Sequence, residues 1–187
     1  MESGLVLAVP LPALEPVLER WRVATVTTAA AGGPAHVTAL YPWLEAPVTE
    51  PDLSGLSEVL GQCPPVRLTF DRLDRFEKGV LFLALDSDSE QAARRLTQTL
   101  MHAYPQCLPY GGEHADPHPH LTVALGTTGE LDGIEPDVTK ALSGLLPYTV
   151  TCEEVVVLEQ QPDGRWVQAH RFPLRAAPAE LRPLSRT

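Results

Sequence analysis

Only two of the 187 residues are lysines, Lys78 and Lys140, and with the arginines they make 14 basic residues against 24 acidic ones, a formal net charge of −10. A protein that holds a long duplex by neutralising its phosphates carries the opposite balance. Extended nucleic acid is therefore excluded as the expected partner, while a few local arginines still suffice for a small phosphorylated ligand or one end of an RNA. Cysteine is scarce as well: Cys63, Cys107 and Cys152 are odd in number and widely spaced. That fits neither a disulfide framework nor a C-x-x-C metal knuckle, and leaves reduced thiols. No apolar run reaches the ~18 residues of a membrane span. The segment MESGLVLAVPLPALEP has no basic stretch and its apolar run is broken by Pro10 and Pro12, so a cytoplasmic location with no membrane partner is the expectation.

What is present suits a folded domain, with 44% apolar and 20% charged residues. The length fits one domain, or one domain built of two lobes. The 19 prolines exceed the usual ~5% and imply short elements with rigid connections. Residues 5–9, LVLAV, read as a buried strand, and residues 13–23 as a helix with Leu14, Val17, Leu18 and Trp21 on one face. A strand is expected over residues 35–41, a short helix over 52–60 capped by Asp52, and strands over 66–70 and 80–85 around a charged connection. The longest helix follows Asp86; residues 105–119 form a loop; residues 120–125 are a strand and 134–146 a helix. Residues 148–160 read as one strand, and the Asp163-Gly164 turn closes a terminal hairpin. The tail 176–187 is expected to be frayed.

Two of the strand-like segments open on His-x-Thr: His36-Val37-Thr38 and, 84 positions later, His120-Leu121-Thr122. The two-residue period of a strand puts His36 beside Thr38 and His120 beside Thr122, with Val37 and Leu121 on the opposite, apolar face. A proline-containing approach precedes each copy, so two half-sites related by pseudo-symmetry are the inference. Phosphodiester cleavage by water needs a proton taken from the attacker and another supplied to the leaving oxygen. A histidine with a pKa near ~6.5 serves either role. Threonine hydroxyls can donate to the non-bridging oxygens as charge develops there. This scheme calls on no cofactor.

PAHVTALYPWL and PYGGEHADPHPHLTVAL resemble the PAHVTLLYPF type of first motif and the PYGG-loop-PHLT second motif of the two-histidine (2H) phosphoesterase superfamily, which includes 2′-5′ RNA ligase-like proteins and RNA cyclic phosphodiesterases. The resemblance runs from about residue 5 to residue 174. It implies an α+β fold, a single bilobal domain over residues 1–175. Each lobe would be an antiparallel sheet with helices on its outer face, and a cleft would lie between the lobes. By motif position it implies His36 and His120 as the acid/base pair and Thr38 and Thr122 as phosphate donors. The reaction implied is metal-independent opening of a 2′,3′-cyclic phosphate on a small nucleotide or RNA end, or hydrolysis of a related 2′-linked phosphodiester, with 2′-5′ ligation as the reverse chemistry.

Other residues carry two readings each. Tyr110, in the PYGG loop, is a candidate to stack on a nucleobase. Tyr41 lies opposite His36 if the strand continues regularly, where it packs in the core or contacts a base. His118 either lines the cleft beside His120 or is an exposed loop residue, because Pro119 interrupts the alternation. His114, His118 and His120, with Glu113 and Asp116 nearby, form a candidate metal group. The spacing Gly112-x5-His118-x-His120 mimics the start of a cupin metal motif, yet Ala124 and Leu125 stand where its glutamate belongs. Trp21 and Trp166 sit on periodic faces as core residues, and Arg22, Arg67 and Arg171 are candidates to reach a terminal phosphate. Beside the enzyme stand two other readings, a non-catalytic binder of nucleotides or RNA ends on the same fold and a metal-binding protein. A monomer is the default state.

Overall fold

The computed structural model describes residues 5–112 and 118–175. Strand β1 (Val6–Pro10) leads through a single 3-10 turn into α1 (Glu15–Thr25), α2 (Thr27–Ala30) and β2 (His36–Leu40). Then come α3 (Glu50–Leu60), β3 (Val66–Phe76), β4 (Val80–Leu85), α4 (Ser87–Ala103), a tight turn at Pro109–Gly112, and β5 (His120–Leu125). The chain closes with α5 (Thr128–Leu142), β6 (Tyr148–Cys152), β7 (Glu154–Gln160) and β8 (Trp166–Pro173). The strands form two four-stranded sheets, ordered β2-β1-β7-β8 and β5-β4-β3-β6, and every pairing is antiparallel.

The two sheets repeat one plan. An inner strand is followed by a helix and then by the edge strand that pairs with it: β1-α1-β2 in the first sheet, β4-α4-β5 in the second. Each helix also packs against the edge strand of the other sheet, α1 on β5 and α4 on β2, and the two edge strands lie close together. One apolar core results. It joins Leu7, Val9 and Val157 of the first sheet to Leu81, Leu83 and Leu121 of the second. α4 reaches that core with Ala93, Leu96 and Leu100 at helical spacing. Among the described residues no helix is long and apolar enough to cross a membrane.

Four sequence expectations need correction. The cap of α3 is Thr49, whose side chain accepts the Asp52 N–H while the Asp52 carboxylate accepts from Thr49 N at 2.9 Å. Asp52 is thus the third helical residue of a capping box rather than the cap itself. The charged segment after residue 70 continues β3 to Phe76 in pairing with β4, with Asp71, Arg72 and Asp74 exposed and Arg75 paired to Asp132 and Glu135 of α5. The turn is confined to Glu77–Gly79, where Gly79 has φ 79° and its α-hydrogen faces the Gly126 carbonyl with no space for a Cβ. α5 starts six residues earlier than the periodicity suggests and takes Pro136 into its interior. Residues 148–160 are two strands in different sheets. β6 is a half-exposed edge of the second, β7 a central strand of the first, and only Glu153 separates them.

Asp86 ties the start of α4, the longest helix, to its first turn by accepting the Ser89 N–H at 2.8 Å. Replacing it with alanine is expected to cost about 1 kcal/mol. The measurement is a lower urea midpoint at unchanged m-value.

Candidate active site

β2 and β5 carry the two His-x-Thr segments with the alternation expected of them. Val37 and Ala39, like Leu121 and Val123, are buried in the core. His36, Thr38, His120 and Thr122 are half-buried on the opposite faces. Both histidines occupy the first position of their strands. At each, the ring turns back on its own chain: His36 Nδ1 lies 2.7 Å from the Pro34 carbonyl, and His120 Nδ1 lies 2.7 Å from the His118 carbonyl. A carbonyl can only accept, so both Nδ1 atoms carry the proton and both Nε2 atoms are left for chemistry.

Burial is the largest influence on both imidazoles. It lowers His36 from 6.5 to about 4; the Pro34 carbonyl opposes this, while the positive charges of Arg22 and His120 add to it. His120 is lowered by burial too, with the His118 carbonyl opposing and the His118 side chain adding to the shift. Near pH 7 the site therefore holds two neutral imidazoles of one tautomer, each beside a threonine hydroxyl. Such a site can accept one proton and, once charged, deliver another.

Tyr110 stands at the mouth of the site. Its backbone is left-handed (φ 51°), followed by Gly111 at φ 65° and Gly112 at φ 88°, a conformation costing about 1 kcal/mol for a side-chain-bearing residue. Three interactions hold it: its N–H donates to the Tyr41 carbonyl at 2.7 Å, its ring meets that of Tyr41 edge-on at 6.0 Å, and its phenol is hydrogen-bonded to the Thr38 side chain. Burial pushes the Tyr110 phenol up, and the Thr38 bond pulls it back. Thr38, Tyr41, Tyr110, His118 and His120 share a narrow recess open to solvent. His36, Thr38, Tyr41 and Tyr110 also border a second, wider one, whose far wall is Leu158 and Trp166.

Tyr41 takes the packing alternative and also borders the recesses. β2 ends at Leu40, so alternation stops, and Tyr41 packs on Val6, Ala8, Val156 and Leu158 while lining the recesses. Trp166, expected in the core, is half-buried on that same apolar wall, whereas Trp21 is buried in the core as its spacing implied. His118 is not an exposed loop residue. Its Nδ1 lies 3.0 Å from Glu90, which also binds Arg94, and its carbonyl orients His120.

Of the arginines offered as phosphate ligands, Arg22 is 2% exposed and engages main-chain carbonyls. Arg171 pairs with Glu154 at 3.1 Å, and Arg67 borders a separate groove beside α4. His114, Glu113 and Asp116 lie outside the described residues. Among the described residues no group of three or more His, Cys, Asp or Glu side chains is placed to hold a metal ion.

Two aromatic residues escaped the sequence reading. Phe82 pairs with Thr122 across β4 and β5, Phe76 stacks on it at 4.1 Å, and the two rings meet His120 edge-on at 5.1 and 5.0 Å. They brace the second imidazole and the ring of His118, at 5.7 and 5.9 Å. The uniformly apolar VLFLAL hides which face Phe82 takes, and Phe76 sat in a segment read as a turn.

The fold is that of several solved structures. Escherichia coli LigT in its apo form superposes with a TM-score of 0.60 at 18% identity, covering 92% of this chain and 98% of that one. LigT complexed with NADP+ gives 0.58 at 20% identity over 92% and 98% of the two chains. TT0787 of Thermus thermophilus gives 0.53 at 20% identity with the same coverage. No curated protein matches the chain in sequence. Residues 10–164, which include both His-x-Thr strands and the Tyr110 turn, match the 2'-5' RNA ligase superfamily, and the chain belongs to that family.

Proposed function

We propose that the protein is a phosphodiesterase that opens 2′,3′-cyclic phosphates, on small nucleotides or short RNA ends, to 2′-phosphates. The observation that carries this reading is the duplicated imidazole: two edge strands present the same ring, the same tautomer and a neighbouring hydroxyl, His36 and His120 border adjoining recesses that share Thr38, Tyr41 and Tyr110, and the charge of one ring reaches the other. In the proposed reaction one neutral imidazole accepts a proton at Nε2 from water as the water oxygen bonds to phosphorus. The other imidazole, protonated at Nε2, gives its proton to the 3′-oxygen as the P–O3′ bond breaks. Thr38 and Thr122 donate hydrogen bonds to the non-bridging oxygens. Tyr110 and Tyr41 offer ring surface to a base, and His118 borders the same recess. With an RNA 5′-hydroxyl attacking phosphorus in place of water, the same proton transfers and the same loss of the 3′-oxygen form a 2′-5′ linkage, and the reverse reaction cleaves one.

Family membership supports a phosphoesterase or ligase. E. coli LigT complexed with ATP and with 3'-AMP supports nucleotide-sized ligands for this fold. The net charge of −10 favours a small or terminal substrate over a long duplex.

The test is incubation with 2′,3′-cyclic mononucleotides in excess EDTA, with separation of 2′- from 3′-phosphates. Formation of the 2′-phosphate alone is expected. His36→Ala and His120→Ala should each lower turnover ~10²–10⁴-fold with the fold retained. An unchanged rate in either variant would overturn the mechanism, as would activity lost to EDTA and restored by zinc. Binding of the nucleotide without turnover would favour the non-catalytic binder. Thr38→Val and Thr122→Val are each expected to cost about 10²-fold in kcat.

The pH dependence follows from the lowered imidazoles. Activity needs one ring neutral and one charged, and both lose their proton below 6.5, His36 at about 4. The kcat/KM profile should be bell-shaped with its maximum below pH 6.5, and a maximum on the alkaline side of pH 7 would contradict the assignment.

A further inference from the structure

We propose that Arg22 is a positioning residue that holds the two histidine half-sites in register with each other, although it lies on neither motif strand. The inference rests on the reading of His36 and His120 as the acid/base pair. Arg22 sits in α1, and its guanidinium spans both motifs. One terminal nitrogen donates to the Thr122 carbonyl at 2.7 Å, and the other donates to the Pro34 carbonyl at 2.9 Å and to the Gly33 carbonyl at 3.4 Å. Nε faces Glu15, two turns earlier on the same helix, at 3.4 Å, and Glu15 in turn accepts the Ala35 N–H.

The Pro34 carbonyl is the one that fixes His36 through Nδ1. A single acceptor therefore takes the imidazole N–H and the guanidinium N–H together, and it cannot shift without turning the His36 ring. Thr122 is the second-motif threonine, so the other arm of the fork fixes the main chain that carries its hydroxyl. Thr25, near the end of α1, donates its hydroxyl to the Trp21 carbonyl of its own helix and accepts the Leu125 N–H at 3.1 Å. Arg22 and Thr25 of α1 thus bond the main chain of β5 at two points, Thr122 and Leu125.

An arginine 2% exposed costs desolvation, and a buried ion pair adds little net stability over apolar groups of the same volume. What the guanidinium supplies is geometry. Its planar fork addresses two carbonyls from separate segments at fixed angles, which the single nitrogen of lysine cannot do. An error of about 1 Å between reacting groups costs ~10²-fold in rate.

Arg22 also bears on the proton affinity of His36. The charges that act on this ring are those of Arg22 from α1 and His120 from β5, both positive when protonated, with the Pro34 carbonyl opposing them; Tyr41 and Tyr110 border the same recess, and Glu15 bonds the neighbouring Ala35 N–H. Removing the guanidinium takes away a charge that disfavours the imidazolium and leaves the Pro34 carbonyl to His36 alone. Both changes raise His36.

The experiment compares Arg22→Lys, which keeps the charge and loses the fork, with Arg22→Met/Glu15→Gln, which removes the charge and leaves no unpaired carboxylate. Turnover of 2′,3′-cyclic AMP is measured alongside an NMR titration of all histidines, with unfolding midpoints as the control for the fold. For Arg22→Lys we expect kcat to fall about 10²-fold, KM to stay within about 3-fold, and His36 to titrate below its ordinary value as in the parent. In the double variant kcat should fall as far, the His36 midpoint should rise toward its ordinary value, and the limb of the kcat/KM profile that follows His36 should move with it.

Wild-type kcat in both variants, or a His36 titration and tautomer unchanged in the double variant, would overturn the proposal. The second result is what a residue serving packing alone would give, with only the unfolding midpoint lowered. If the double variant fails to fold, Arg22→Lys decides by its kcat. The NMR arm needs no substrate. A rise in His36 in a protein that turns over nothing would support the role of Arg22 while removing the catalytic reading, and full activity in His36→Ala would remove that reading alone.

Discussion

Both motif histidines give their Nδ1 proton to a carbonyl two residues back in their own chain, and the rest of the cleft is arranged around that bond. The bond requires a chain that is bent just before the strand begins. Pro34 precedes Ala35 and His36, while Pro119 stands between His118 and His120, and proline's fixed φ suits both approaches. Each ring is held at one nitrogen, so the other is the atom left to exchange protons with a bound group. Backbone geometry thus decides where the exchanging nitrogen points, and burial decides how readily it takes a proton.

The strands that carry these rings are sheet edges, which need cover. The cover comes from the opposite half of the repeat: the helix that leads into one edge packs on the other. The two coverings differ in chemistry. α4 meets β2 with a mainly apolar face, whereas α1 meets β5 with Arg22 and Thr25. The half-sites are alike in their ring bonds and unlike in their supports, and that difference puts Arg22 among the charges that hold His36 down and the His118 ring among those that act on His120.

The two His-x-Thr segments were legible in the sequence because a strand's alternation is strict and each copy has its apolar partners at the odd positions. Most of the element order was legible for the same reason, and residue-by-residue resemblance to a known family supplied the two-sheet plan that periodicity alone could not. The failures have physical causes. Glu153 marks the passage from one sheet to the other with neither glycine nor proline, so β6 and β7 read as one strand. A charged stretch resembles a turn unless its partner strand is known, and this hid Phe76. Parity left Tyr41 undecided because it applies only while the strand lasts, and β2 ends at Leu40. Arg22 looked like a phosphate ligand because sequence records its charge and not the three carbonyls that surround it.

The passage at Glu153 also bears on how the cleft can change shape. β6 and β7 are joined by one residue, and that residue's carbonyl accepts the Leu174 N–H at 2.7 Å. The two sheets are therefore stitched by backbone at the end of one and the centre of the other, and they share a single core. Among the described residues the two halves are thus tied by backbone and by one shared core, and the strands that carry the two imidazoles belong to that common frame, whereas Tyr41 and Tyr110 lie beyond the strand ends at its surface.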